Sequence, residues 1–185
     1  MISTNDVRPG MFLDLDGGIF QIVEYNHVKP GKGKAFVKMK LKNQLNGSVI
    51  ERTFRADEPV QQAIIERRGH QYLYSDDMGY HFMDGETYAQ LALTEDQVGG
   101  ASGFLKEGEG VLLAMYNGRA IGLDLPASVV LTVTHAEPGV KGDRVSGATK
   151  PVTLETGLVV QVPLFVDAGD RVKVDTRSGA YITRV

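Results

Sequence analysis

The sequence predicts an all-β protein assembled from three small barrels. Three observations carry that reading. Turn signals recur between short alternating apolar segments over the whole 185 residues, with 22 glycines among them. No long amphipathic helix interrupts the series. Composition and charge change near Ile64 and again near Ala127-Ser128, dividing the chain into pieces of roughly 60 residues, each too small to bury much surface alone. The expected boundaries are 1–64, 65–127 and 128–185, with shared interfaces.

The elements follow in order. Asp16-Gly17-Gly18 separates "MFLDL" from "IFQIVEY", the first hairpin. "IFQIVEYNHV" and "AFVKMKLK" flank "HVKPGKGKAF" and form the second. In "AFVKMKLK", Val37, Met39 and Leu41 share one face, while Lys38, Lys40 and Lys42 share the other. That is period two, a half-buried strand. Asp57 to Arg68, "DEPVQQAIIERR", could start a helix, with an Asp cap and Pro59 near a first turn. It runs straight into the strand-like "HQYLYS", so local pattern leaves it open. Asp76-Asp77-Met78-Gly79 separates "QYLYS" from "YHFM". A short helical piece is expected near Gly100 to Lys106. Asn117-Gly118 between "VLLAMY" and "RAIGLDL" is a strong hairpin signal, because a type I′ turn needs positive φ at both central residues. Arg177-Ser178-Gly179 joins "RVKVD" to "AYITRV".

Composition excludes several functions. The absence of cysteine rules out a disulfide framework, a thiolate zinc site and a cysteine nucleophile. His27, His70, His81 and His135 show no metal-binding spacing, and no serine sits in a nucleophile elbow. No metal, cofactor or turnover by the isolated chain is expected. The first residues lack a basic region followed by an apolar core, and no apolar run approaches the ~20 residues of a membrane span. A soluble, cytoplasmic protein without membrane contact is expected.

The net charge of −3 hides an asymmetry. Tyr25 to Ile50 carries six lysines and no acid, whereas Glu66 to Asp124 carries ten acids against four bases. A basic front on an acidic body suggests a polyanion touched by one region only. A solvated lysine face guarding an edge strand is the alternative. The tip, Pro30-Gly31-Lys32-Gly33, has little to bury. Its glycines are expected to take positive φ on either side of the lysine, with Pro30 fixing the entry. Lys32 should then point outward, as a compact cation for phosphate or as a modification target. A P-loop and a dinucleotide fingerprint both fail: Ala35 stands where a hydroxyl is needed, and Phe36 where a third glycine is needed.

"VKPGKGKAFVKMKLKN" resembles the N-terminal hairpin of bacterial elongation factor P. "RTFRADE" and "QYLYSDDMGYHFMDGETYAQL" are similar to the passage from that family's first domain to its second. "EPGVKGDRVSGATKPVTLETGLVVQVPLFVDAGDRVKVDTRSGAYITRV" is very like its C-terminal domain. The resemblance covers essentially the whole chain. It implies an SH3-like (KOW-like) first barrel and two OB-fold barrels, in an elongated L that imitates tRNA. It turns "AIIERRGHQYLYS" into strand. It also implies kinship of the first two domains with the hypusine-bearing initiation factor of eukaryotes and archaea.

The resemblance further implies a factor that binds the 70S ribosome between the peptidyl and exit sites and relieves stalling at consecutive prolines. The partners would be the P-site peptidyl-tRNA or initiator tRNA, and the protein would act as a monomer. Lys32 corresponds to the family's tip residue, which in many members is extended by a modifying enzyme. Lysine there excludes the arginine-rhamnosylation branch; Lys34 leaves open a β-lysyl-type group, an aminopentanol-type group, another, or none. Lys32, framed by Pro30, Gly31 and Gly33, would meet the CCA end, and Lys29, Lys34, Lys38, Lys40 and Lys42 would supply phosphate contacts. In the C-terminal loop, Gly142 and Asp143 match a Gly-Asp-Thr motif that faces the small subunit and mRNA. Arg144 replaces the threonine, and Lys150 closes the loop. Tyr181 and Arg184 match positions near tRNA or ribosomal RNA. Two alternatives stand beside this reading. One is an elongation-factor-P-like paralog, against which the Pro-Gly-Lys-Gly tip argues. The other is a general single-strand binder, which would want more exposed aromatics than Phe36.

Overall fold

The computed structural model describes residues 1–139 and 147–185. The first sheet contains β1 (Ile2–Ser3), β2 (Phe12–Leu15), β3 (Gly18–Val28), β4 (Phe36–Asn43), β5 (Val49–Arg55) and β6 (Pro59–Ala63). Its spatial order is β1-β6-β2-β3-β4-β5 and every pairing is antiparallel. The β2–β3 turn has φ of 52° at Asp16 and 82° at Gly17, the left-handed pair that a tight hairpin turn demands. Along β4, Val37, Met39 and Leu41 are fully buried, and the lysines between them face outward. Each such apolar side chain contributes roughly 1.5–3 kcal/mol on burial. With Val7, Leu13, Ile22, Phe54 and Val60 they make the first core.

The second sheet contains β7 (Glu66–Asp76), β8 (Gly79–Asp84), β9 (Gln90–Leu93), β10 (Gly110–Tyr116) and β11 (Arg119–Asp124), in the order β11-β10-β7-β8-β9. The helix considered for Asp57–Arg68 does not form. Pro59–Ala63 is β6 and Glu66 begins β7, because the backbone pairs with β1 and β2 while Val60 buries in the first core and Ala63, on the opposite strand face, buries against Ile19 and Ile121. Between β9 and β10 lie one helical turn, α1 (Glu95–Val98), and a 3₁₀ segment (Gly99–Phe104) where a short helical piece was expected. Thr94 accepts from the Gln97 N–H at 3.3 Å, and the Gln97 side chain accepts from the Thr94 N–H at 2.9 Å. This reciprocal cap supports so short a turn. Asn117 (φ 49°) and Gly118 (φ 76°) form the β10–β11 turn.

The third sheet contains β12 (Ser128–Ala136), β13 (Thr149–Leu154), β14 (Val159–Pro163), β15 (Arg171–Asp175) and β16 (Tyr181–Arg184), in the order β14-β13-β12-β15-β16. Its core is almost wholly valine and leucine. The fold is all-β, with three curled sheets and a separate core for each.

Neighbouring sheets are joined by small contacts. Ile19, Ala63 and Ile121 bury together, with Phe12, Leu45, Ile65, Ala114 and Tyr116 around them. At the edge of this cluster the Tyr116 hydroxyl donates to an Asp14 carboxylate oxygen at 2.9 Å. That bond, followed by burial, raises the tyrosine pKa above 10.0. On the other side, Phe104 and Leu158 pack against the third core, and the Thr156 hydroxyl donates to the Gly103 carbonyl at 2.6 Å. A Cβ at Gly103 would stand 3.2 Å from Leu158 Cδ1, so the approach here is close.

Candidate functional site

The second hairpin of the first sheet builds the site. The β3–β4 ladder runs from Phe20↔Asn43 to Val28↔Phe36, with one bulge between Ile22 and Glu24. Beyond Val28 the chain leaves the ladder and returns at Phe36, so Lys29 to Ala35 form the loop. Residues Lys29 to Lys34 are all exposed. Among the described residues Lys32 has no hydrogen-bond or ion-pair partner, and its ammonium is free in solvent. The loop is tied at its base, where the Ala56 N–H donates to the Ala35 carbonyl at 3.2 Å.

The two glycines beside Lys32 are not equivalent. Gly33 has φ +108°, a conformation that L side chains rarely adopt, while Gly31 takes ordinary backbone. The expectation of positive φ on both sides therefore holds at one. A Cβ at Gly31 would meet nothing within 4 Å. Its role is openness around the lysine, not a backbone requirement.

Register changes the electrostatics of the lysine stripe. The β4 lysines face β3 on one side and β5 on the other, and Lys40 sits between Glu24 and Glu51. Lys40 pairs with Glu24 at 3.0 Å and Lys38 with Glu51 at 3.1 Å. Such exposed pairs add little stability. They do cancel charge: Lys38 and Lys40 are not the free cations expected of phosphate contacts. The lysine-rich stretch from Tyr25 to Ile50 is bounded by these two glutamates, and folding brings both beside it. Lys29, Lys32, Lys34 and Lys42 have no ion-pair partner among the described residues.

The C-terminal expectations divide. Gly142, Asp143 and Arg144 lie outside the described residues. Lys150 faces inward, a correction to its expected place on an outward RNA-facing loop. Its side chain is 7% exposed, and its ammonium donates to the Glu137 carbonyl at 2.9 Å and lies 3.5 Å from Asp167. The cause is strand period: Lys150, Val152 and Leu154 share the buried face of β13. Tyr181 is half-buried and packs against the third core. Arg184 is exposed, lies 3.6 Å from Asp170, and stacks on the ring of Phe165, with the guanidinium 4.9 Å from the centroid. Sequence reading overlooked Phe165, an exposed aromatic beside a cation.

Two of the four histidines, His70 and His81, have side-chain partners. His70 is buried, with Nδ1 3.0 Å from the Arg68 carbonyl. His81 Nε2 lies 2.8 Å from Asp76, a bond that holds the Asp76 carboxyl below its ordinary value. Among the described residues no cluster of three or more metal-ligating side chains occurs. Among the described residues no helix is long and apolar enough to cross a membrane.

Comparison with known proteins covers the chain from end to end. Residues 3–60 match the family described as elongation factor P KOW-like domain, residues 65–123 the elongation factor P OB domain, and residues 129–184 the elongation factor P C-terminal family. Curated proteins named elongation factor P are similar throughout. The chain is 54% identical to that of Moorella thermoacetica and 55% identical to that of Symbiobacterium thermophilum, each over 184 residues and all of both chains. Among solved structures, the eukaryotic translation initiation factor 5A from Methanococcus jannaschii superposes with a TM-score of 0.56 at 25% identity. The match covers 66% of this chain and 92% of that one.

Proposed function

This chain belongs to the elongation factor P family of translation factors, and on that premise we propose that it binds the ribosome between the peptidyl and exit sites and speeds peptide-bond formation at consecutive prolines. In this reading residues 1–64, 65–127 and 128–185 are three domains, and the protein works in the cytoplasm as a monomer. The observation that carries the reading is the free Lys32 ammonium, presented at the end of a β-hairpin whose stem is anchored in a packed sheet.

The physical problem is orientation. Proline constrains the chain at the reacting amine and at the peptidyl donor. A factor that steadies the CCA end of the P-site tRNA lowers the entropy cost of reaching a reactive pose, and the ribosome supplies the chemistry. Lys32 meets the sugar-phosphate backbone there as a point charge with three donors. The factor itself turns over no substrate. An open tip with a glycine on each side also suits Lys32 to the cleft of a modifying enzyme; intact mass measured from the native host identifies any added group.

Lys32→Ala removes the ammonium from a residue that packs against nothing. The expected outcome is an unchanged fold by circular dichroism and loss of polyproline synthesis in a reconstituted translation assay. Full rescue by the variant refutes the proposed role of Lys32.

A further inference from the structure

The outer face of β3, β4 and β5 has rows set by register. The row nearest the tip is Val28, Phe36 and Arg55. The next is Asn26, Lys38 and Thr53, and the third is Glu24, Lys40 and Glu51. In the second and third rows Lys38 and Lys40 are neutralised by the two glutamates. In the first, Arg55 is exposed and has no ion pair among the described residues. The unpaired cations of this face therefore lie at its two ends, Arg55 beside the tip and Lys42 at the far end of β4.

Arg55 and Lys34 line a groove of about 510 Å³ whose floor includes Phe36 and Thr53. Phe36 is half-buried, and Phe54, between Thr53 and Arg55, turns into the first core, so the floor is fixed by packing. The nearby acids keep their charge but are held by other hydrogen bonds and form no ion pair with Arg55 or Lys34 among the described residues. The Glu58 carboxylate accepts the backbone N–H of Arg55 at 2.9 Å, and Asp57 accepts the Ser3 hydroxyl at 2.8 Å. The Arg55 carbonyl accepts from the Thr4 hydroxyl at 2.9 Å, and Thr4 itself is fully buried, so the backbone that carries the guanidinium is held from both directions. Two cations on a firm, partly aromatic floor match a phosphodiester with its ribose, with arginine offering a planar fork and lysine a point charge.

We propose that Arg55 and Lys34 form an anion subsite beside the tip, taking a backbone phosphate of the RNA whose end Lys32 meets, and that Lys38 and Lys40 take none. The assignment rests on the ribosomal reading given above. It makes Arg55 a positioning residue: it fixes where the RNA strand lies relative to Lys32.

The test is the salt dependence of binding of the full chain to ribosomes carrying P-site tRNA. Each phosphate contact contributes about one to the slope of log affinity against log salt. Arg55→Gln and Lys34→Gln should each lower the slope by about one, and Arg55→Lys should keep it. The charge-balanced double variants Lys38→Gln/Glu51→Gln and Lys40→Gln/Glu24→Gln should leave it unchanged. Melting temperatures are measured alongside, since a purely structural Arg55 would change stability and not slope. A wild-type slope in Arg55→Gln, or a loss in the double variants equal to that of Arg55→Gln, overturns the subsite while leaving the ribosomal reading intact. A wild-type chain that fails to bind these ribosomes overturns both.

Discussion

Replacing Lys150 separates an internal role from an RNA contact. The ammonium donates to the Glu137 carbonyl at 2.9 Å and lies 3.5 Å from Asp167, whose side chain is 76% exposed. The hydrogen bond from a charged group accounts for about 1.5–3 kcal/mol. The pair with the exposed carboxylate adds about 1 kcal/mol at most. Against these stands the cost of holding an ammonium out of water, which methionine does not bear. Lys150→Met keeps most of the stem volume and should destabilise the third sheet by about 1–2 kcal/mol. Lys150→Ala also removes three buried methylenes, at ~0.8 kcal/mol each, so its loss should reach about 3–4 kcal/mol. Native-state hydrogen exchange reads the effect locally: amides of β13 and β14 should exchange faster by roughly tenfold per 1.4 kcal/mol. Affinity for ribosomes should keep its salt slope in Lys150→Met. Unaltered exchange together with a slope reduced by about one would show that the lysine reaches RNA, and the assignment to the interior would fall.

Two further outcomes follow from the same physics. Gly79→Ala should be severe, because its Cβ would lie 2.2 Å from the Leu93 carbonyl oxygen at a backbone φ of +128°; a loss of at least about 3 kcal/mol is expected in urea unfolding, against a few tenths for an exposed site. Acid should weaken the second sheet through Asp84, whose carboxyl is held below its ordinary value of 3.8 by the backbone N–H groups of Thr87 and Glu86, with Arg68 and His70 adding to the effect. A depressed folded pKa stabilises above the unfolded value and is lost as pH falls through the folded one. The slope of stability below about pH 4 should therefore flatten in Asp84→Asn, as measured by urea midpoints across pH.

Much of the fold was legible because strands of period two and left-handed turn residues leave local marks. "AFVKMKLK" alternates cleanly, and Asn117-Gly118 can hardly do anything but turn. The segment from Asp57 to Arg68 was ambiguous for a physical reason. Its propensities permit a helix, and only pairing with β1 and β2 decides against one. The tip was legible as a lysine with nothing to bury. The cancellation of Lys38 and Lys40 was not, since it depends on which residues of β3 and β5 stand opposite. Lys150 could have been placed by continuing its alternation with Val152 and Leu154. The bond from Tyr116 to Asp14 spans 102 residues and has no local signature.

That last contact bears on how accurately the tip can be aimed. Asp14 lies near the root of the long hairpin, and Lys32 lies at its far end, some ten strand residues or roughly 33 Å away. Over such a lever, a tilt of about 5° at the root sweeps the end by roughly 3 Å, as long as the hydrogen bond it must make. The fine adjustment of the lysine therefore rests on a hydroxyl in the neighbouring sheet and on the three side chains buried beside it.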